Sequence, residues 1–418
     1  MILSVVQLRL LGLFIVSFFL RIGYFWLDIP VPEQDTLDYQ ELAKNLLNGQ
    51  GFVSRENWFG FPMYSWRPPV YPFFLASVYL MFGFDNTAVI IVQCLIGAFS
   101  VILLWSMIFR INARAAWLAA IFMAIYEPLV SACSEVMSET LFTFLILLAL
   151  WAFGVKTKRS QFLALGGIAV GLCALTRPVG LLLLPSFAIT IFWQHGRSGW
   201  SIVAWVTLVV LLVICPWTLR NYQVHEAFVP ISTHGGFIVA QSNNSDPAWR
   251  KKNGWGIEKE IFENMPTEIE RDRHWWAMGL SFIRENPFAY MQLNLERMLR
   301  FFYFFRPSYN VFFAFIFPFF ILGILNYGGH ADFKMHTTFI AISVLVFCML
   351  LYGSTRFRLP IEPLFIGFGA TYIVENCIRW LKLRLFTLIY ILLHILIWFA
   401  QEDLRMIVLS FLDKWGLK

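Results

Sequence analysis

Three carboxylates, Glu33, Asp35 and Asp38, follow the first long apolar stretch of the chain, and Trp66-Arg67-Pro68-Pro69 comes after them. Two prolines fix the backbone beside Arg67. A guanidinium held at such a junction is suited to grip a phosphate through two parallel bonds. Further charges stand at the ends of apolar segments: Glu135 and Glu139, Arg177 in Leu-Thr-Arg-Pro, Arg220 in Trp-Thr-Leu-Arg-Asn, and Arg356 and Arg358 in Thr-Arg-Phe-Arg-Leu-Pro. A charge there is costly unless it meets water, lipid headgroups or an opposite charge. An anionic lipid phosphate is a natural partner for some of these arginines. Plainer roles also fit. Asp35 is well placed to cap a helix, Arg67 to snorkel to headgroups, and Glu135 and Glu139 to pair with Arg177.

These side chains need a frame, and composition says what kind. The 418 residues are 59% hydrophobic and 14% charged, against about 25% charged in soluble domains. This points to an all-α, polytopic membrane protein. The net charge of +6 comes without a Lys/Arg-rich run, so nucleic acid is not an expected partner. The six cysteines lie in or beside apolar segments with no CxxC pair, so neither a disulfide nor a zinc site is expected.

Runs of about 20 apolar residues give about eleven spans, starting near Leu8, Thr87, Ala115, Ser138, Phe162, Val179, Trp200, Tyr309, Met335, Ile361 and Leu385. The first reads as an uncleaved span, because no small-residue cleavage site follows it. Residues 1–400 form a single transmembrane domain, with long polar loops at about 28–86 and 220–307 and a short tail at 401–418. One alternate set of short loops is basic throughout: Arg110 and Arg114; Lys156, Lys158 and Arg159; Arg197; Lys334; and Arg379, Lys382 and Arg384. This set shares its side with the N-terminus, which is therefore cytoplasmic. Both long loops then fall on the external face with Asp35, Arg67 and the span-end arginines.

Each long loop is expected to carry amphipathic helices. In the first, Tyr39, Leu42, Ala43, Leu46 and Leu47 recur near helical spacing from Asp38 to Leu47. The pattern suits a helix lying in the membrane surface, with Asn48-Gly49-Gln50-Gly51 as its stop. The second loop has a charged helical stretch over about 257–286 and an aromatic, charged one over about 288–305.

The motifs resemble the C-type membrane glycosyltransferase superfamily. They are most similar to its bacterial branch, which includes relatives of the dolichyl-phosphate-mannose–protein mannosyltransferases and the aminoarabinose–lipid A transferase. The resemblance rests on D-T-L-D-Y-x-x-x-A-x-N-L-L-x-G-x-G-F, R-P-P-V-Y-P, S-E-T-L-F, L-T-R-P, P-W-T-L-R-N-Y, S-T-H-G-G and R-F-R-L-P-I, spread over about residues 10–370. Ser242-Asn243-Asn244 stands where many relatives have Gly-Asn-Asn, and only the tail follows the last span where several carry a soluble domain.

The resemblance implies a multi-pass protein of the bacterial inner membrane whose site opens on the external face. It implies transfer of a sugar from a polyprenyl-phosphate donor to an acceptor hydroxyl on a lipid-linked glycan, lipid A or a protein, with inversion, among membrane lipids. By the same likeness Asp35 is the catalytic base or acceptor-positioning acid and Glu139 the acid of the next external loop. Arg67, Arg356, Arg358 and Arg177 bind the donor phosphate. Glu33, Asp38, Tyr39, Glu135 and Arg220 support them. No cofactor is required, although Glu33-x-Asp35 leaves room for a divalent metal. A transporter, or a lipid-linked oligosaccharide polymerase or flippase, is the alternative. A transporter would place charges near mid-span and repeat its halves, whereas these charges gather at span ends on one face.

Overall fold

The structure is a computed structural model that describes residues 4–27, 34–55, 61–154, 160–244, 265, 267–302, 311–331, 333–351, 353–377, 388–390 and 392. Glu33, the basic loops at 155–159 and 378–387, most of the expected last span and the tail lie outside the described residues. Among those described, the fold is helical throughout, and the sole β-type pairing is an isolated bridge between Ser54 and Met63.

Three segments are long and apolar enough to cross a membrane: α1 (Val5–Leu27), α4 (Asn86–Phe109), and the run Pro178–His225, which includes α9 (Leu183–His195) and α10 (Trp200–His225). Shorter apolar helices accompany them. These are α3 (Val70–Phe82), α5 (Ala113–Ile125), α7 (Glu139–Phe153), α8 (Ser160–Thr176), α14 (Val311–Tyr327) and α15 (Lys334–Met349), with the short α6 (Glu127–Ser131) between α5 and α7. By helix length alone the expected count of eleven spans is not reached among the described residues. α3 differs most from expectation. The sequence places Val70–Phe82 inside the polar loop 28–86, yet it forms an apolar helix that packs on both α2 (Gln34–Leu47) and α4.

The main core joins α4, α5, α7, α8, α10 and α14 with α17 (Glu362–Tyr372). Small residues let helices approach closely there, as membrane interfaces favour. A Cβ on Gly171 of α8 would lie 2.7 Å from Val213 of α10. α1 buries an arginine against this body. Arg21 is fully enclosed, and its Nη1 donates to the carbonyls of Ser17 at 3.0 Å and Ala124 at 3.4 Å and to the Ser17 hydroxyl.

α2 spans Asp38–Leu47 as expected but starts a turn earlier, with Asp35 in its first turn. Tyr39, Leu42 and Ala43 are buried against protein, so its inner face is spent on the core. It stops at Gly49 and Gly51, both at positive φ (74° and 80°), a conformation that glycine adopts freely.

The second long loop holds α11 (Gly235–Ser242), α12 (Glu268–Glu285) and α13 (Pro287–Phe302). Thr267 caps α12 with a full capping box to Glu270. Trp66 and Met63 of the first loop pack on Phe237, Ala240 and Trp275 of the second. The two loops therefore form one body over the helix ends.

Candidate active site

α2, the Trp66–Pro69 turn, the start of α7, the end of α8 and α16 (Thr355–Arg358) meet in a chain of alternating charges. Arg67 donates to Asp38 Oδ2 from Nη2 at 2.6 Å and from Nε at 3.1 Å, and to Asp35 Oδ1 from Nη2 at 2.7 Å. The other oxygen of Asp35 accepts from Arg356 Nη2 at 2.9 Å. Arg356 Nε donates in turn to Glu139 Oε1, and Arg177 Nη2 reaches the same oxygen at 2.6 Å. The order is Asp38–Arg67–Asp35–Arg356–Glu139–Arg177, so each carboxylate has at least one guanidinium and local charge balances.

The sequence explains how each member is placed. Asp35 projects from the first turn of α2 and Asp38 from the second, where Tyr39 also lies with its ring 5.4 Å from the Arg67 guanidinium. Pro68 and Pro69 stop the backbone after Arg67 from joining α3 early. Glu139 opens α7, where the helix N-terminus favours a negative charge. Arg177 is extended (φ −147°) just before Pro178 and also binds Ser138 Oγ at 2.9 Å.

Electrostatics follow from this geometry. Burial would raise the Asp35 carboxyl, but Arg67 and Arg356 outweigh it and hold the group well below the usual carboxylate range. Burial would lower Arg67 and Arg356, but their carboxylate partners push both further up. His234, at the entry to α11, is packed on the Trp66 ring at 4.3 Å. Its burial, with Arg67 next in weight, lowers it to about 3, so it is neutral. Glu139 Oε2 is buried and has no hydrogen-bond partner among the described residues.

The structure thus brings together Asp35, Asp38, Tyr39, Arg67, Glu139, Arg177 and Arg356. It does not bring Arg358 to them. That side chain is buried, bonded to Glu362 Oε1 at 2.5 Å and to the Phe301 carbonyl, with its guanidinium over the Phe313 ring. Arg220 binds backbone instead, at Tyr64 O (2.7 Å) and Phe52 O (2.9 Å). Glu135 and Glu139 do not share a helix face, because α7 begins only at Glu139 and Glu135 sits on the exposed turn before it.

Among the described residues no group of three or more His, Cys, Asp or Glu side chains is arranged to hold a metal ion. The described carboxylates are also a poor match for a divalent cation, because the guanidinium groups that bind them would repel it. Two features escaped the sequence reading. His234 lies in the quoted S-T-H-G-G motif without an assigned role, and Glu268 reads as one charge among many in a charged helix.

Residues 66–219 match the sequence model of the dolichyl-phosphate-mannose–protein mannosyltransferase family. Among curated proteins no sequence matches. Among solved structures the chain is similar to the oligosaccharyltransferase AglB of Archaeoglobus fulgidus in complex with an inhibitory peptide and a dolichol-phosphate. That likeness has a TM-score of 0.59 at 14% identity, over 95% of this chain and 55% of that one. The apo form of the Archaeoglobus fulgidus oligosaccharyltransferase gives 0.58 at 15%, over 94% and 55%. ArnT of Cupriavidus metallidurans bound to undecaprenyl phosphate gives 0.47 at 14%, over 87% and 77%. The chain spans about half the length of the oligosaccharyltransferases it matches. The fold is that of a helical membrane protein of this kind, and the resemblance read from the sequence is borne out.

Proposed function

We propose that the chain is a glycosyltransferase that moves a sugar from a polyprenyl-phosphate donor to an acceptor hydroxyl at the external face of the bacterial inner membrane, with the N-terminus cytoplasmic. The observation that carries this reading is the double hold on Asp35 by Arg67 and Arg356. It puts a carboxylate and two phosphate-gripping cations in direct contact. The family match, and the dolichol-phosphate in one of the similar structures, support a lipid phosphate as the anion.

The reaction needs what these residues offer. The acceptor oxygen attacks the anomeric carbon as the bond from that carbon to the phosphate oxygen breaks, which inverts the centre. The acceptor proton passes to Asp35, and polyprenyl phosphate leaves with an added negative charge that Arg67 and Arg356 stabilise. A carboxylate with so low a proton affinity is a weak base. An incoming phosphate that shares Arg67 and Arg356 weakens their hold on Asp35 and raises its basicity as the donor arrives. Lipid-linked glycan, lipid A and protein acceptors all present the hydroxyl that this scheme uses.

The test is transfer by purified protein from a set of polyprenyl-phosphate sugars to a panel of such acceptors. Transfer by the wild type that is lost in Asp35→Asn supports the reading. An Asp35→Asn variant that transfers as well as wild type overturns the assignment of the base.

A further inference from the structure

Tyr64 and Ser65, just ahead of Arg67, belong to no helix or strand, yet both of their backbone N–H and both of their C=O groups are bonded to other segments. Glu268 Oε2 accepts from the Tyr64 N–H at 2.8 Å, and Oε1 from the Ser65 N–H at 3.1 Å. Arg220 Nη1 donates to the Tyr64 carbonyl at 2.7 Å, and the Thr233 N–H to the Ser65 carbonyl at 2.9 Å. The Ser65 hydroxyl donates to Asn221 Oδ1 at 2.9 Å and lies 2.8 Å from His225 Nε2. Glu268 is 7% exposed, and the Thr233 hydroxyl also donates to it. It sits in the first turn of α12, where the helix dipole favours its charge.

A buried carboxylate is costly unless it is well bonded, and this one takes its bonds from another segment's backbone. Irregular backbone is placed by whatever satisfies its polar groups. We propose that Glu268 is a positioning residue for Arg67. It fixes the Tyr64–Ser65 segment through its two N–H groups while Arg220 holds the Tyr64 carbonyl, and Pro68 and Pro69 stiffen the chain beyond Arg67. The second long loop thereby sets where the phosphate-facing guanidinium stands, and a shift of α12 is passed to it. This rests on the reading of Arg67 as the donor-phosphate ligand.

The experiment compares wild type with Glu268→Gln, which keeps the volume but removes the charge and puts an N–H donor where one of the two acceptor oxygens stood, so the Tyr64 and Ser65 N–H groups are no longer both satisfied. Three quantities are read: binding of a sugar-free polyprenyl phosphate, donor and acceptor KM with kcat, and hydrogen exchange of the peptide spanning 61–69. The expected result is faster exchange at Tyr64 and Ser65, lipid-phosphate affinity and donor KM worse by about tenfold, and little change in acceptor KM or in exchange of α4 and α8. Thr233→Val, which removes one donor to the same carboxylate, changes the same quantities less. It serves in place of Glu268→Gln if that variant does not fold. Unchanged exchange at 64–65 overturns the clamp. Faster exchange with unchanged lipid-phosphate affinity overturns the link to Arg67. If wild type binds no polyprenyl phosphate, the proposed function falls, while the exchange data still decide whether the clamp exists.

Discussion

Arg67 Nη2 donates to Asp35 Oδ1 at 2.7 Å, so the strongest candidate base and the strongest candidate phosphate ligand are bonded to each other before any substrate arrives. Each holds the other in its charged form. Under the proposed function a donor phosphate would have to exchange partners with Asp35 rather than meet an unoccupied cation.

Asp35→Asn keeps the shape but removes the proton acceptor and the charge. Transfer should fall by about 10²-fold or more, the usual loss when a general base is removed. Initial-rate measurements at saturating donor check this. A drop below threefold would mean that the proton goes elsewhere.

Arg67→Ala removes from Asp38, only 2% exposed, the guanidinium 2.6 Å from its Oδ2. Breaking a buried pair on one side costs about 3–5 kcal/mol, so the variant should melt well below wild type and lose donor binding. Arg67→Lys should restore part of the stability but not donor affinity, because a single ammonium cannot span Asp35 and Asp38 as the fork does. Thermal melts beside donor KM distinguish the two effects.

Arg358→Ala and Arg356→Ala should behave differently. Arg358 is buried against Glu362, and its loss should destabilise by about 3–5 kcal/mol. Activity per folded molecule should stay near wild type. Arg356 is partly exposed and touches Asp35 and Glu139, so its loss should raise donor KM with a smaller effect on melting. Melting curves and kinetics that moved together in both variants would remove the distinction.

Acidification should act on the second loop through two groups of opposite sign. Burial raises Asp272 to about 6, against the Gly236 N–H bonded to it. The folded state then binds the extra proton, and Asp272 favours the fold below the ordinary carboxylate range and loses that contribution as pH rises through 6. His234 is lowered to about 3, so the unfolded chain protonates first and stability is lost as pH falls below 6.5. Between pH 7 and 5 the two effects offset. Asp272→Asn, whose amide oxygen can still accept from Gly236, should melt progressively lower than wild type on acidification over that window. Parallel melting-versus-pH curves would sink this.

The members of the candidate site that are legible in the sequence are those where charge is costly. Arg67, Arg177 and Arg356 are conspicuous because arginines at the ends of apolar segments need partners, and Asp35 because it is an acid just after the first apolar stretch and ahead of a periodic helix. Arg358 looked the same from sequence, although Glu362 stands four residues on, the spacing of a helical ion pair. His234 and Glu268 gave no local signal, since their roles come from packing of the second loop onto the first. α3 was missed because its short apolar run follows a proline-rich turn, and run length alone does not reveal a helix of 13 residues.

Arg21 bears on how the protein is made. It is enclosed in α1, packs beside Gly97 of α4, and donates a hydrogen bond to the carbonyl of Ala124 at the end of α5. α1 leaves the ribosome long before α5, and an arginine exposed to hydrocarbon costs about 2.5–3.5 kcal/mol on the insertion scale. Newly made α1 therefore gains by waiting beside the insertion machinery until α4 and α5 arrive, so assembly order is written into the first span.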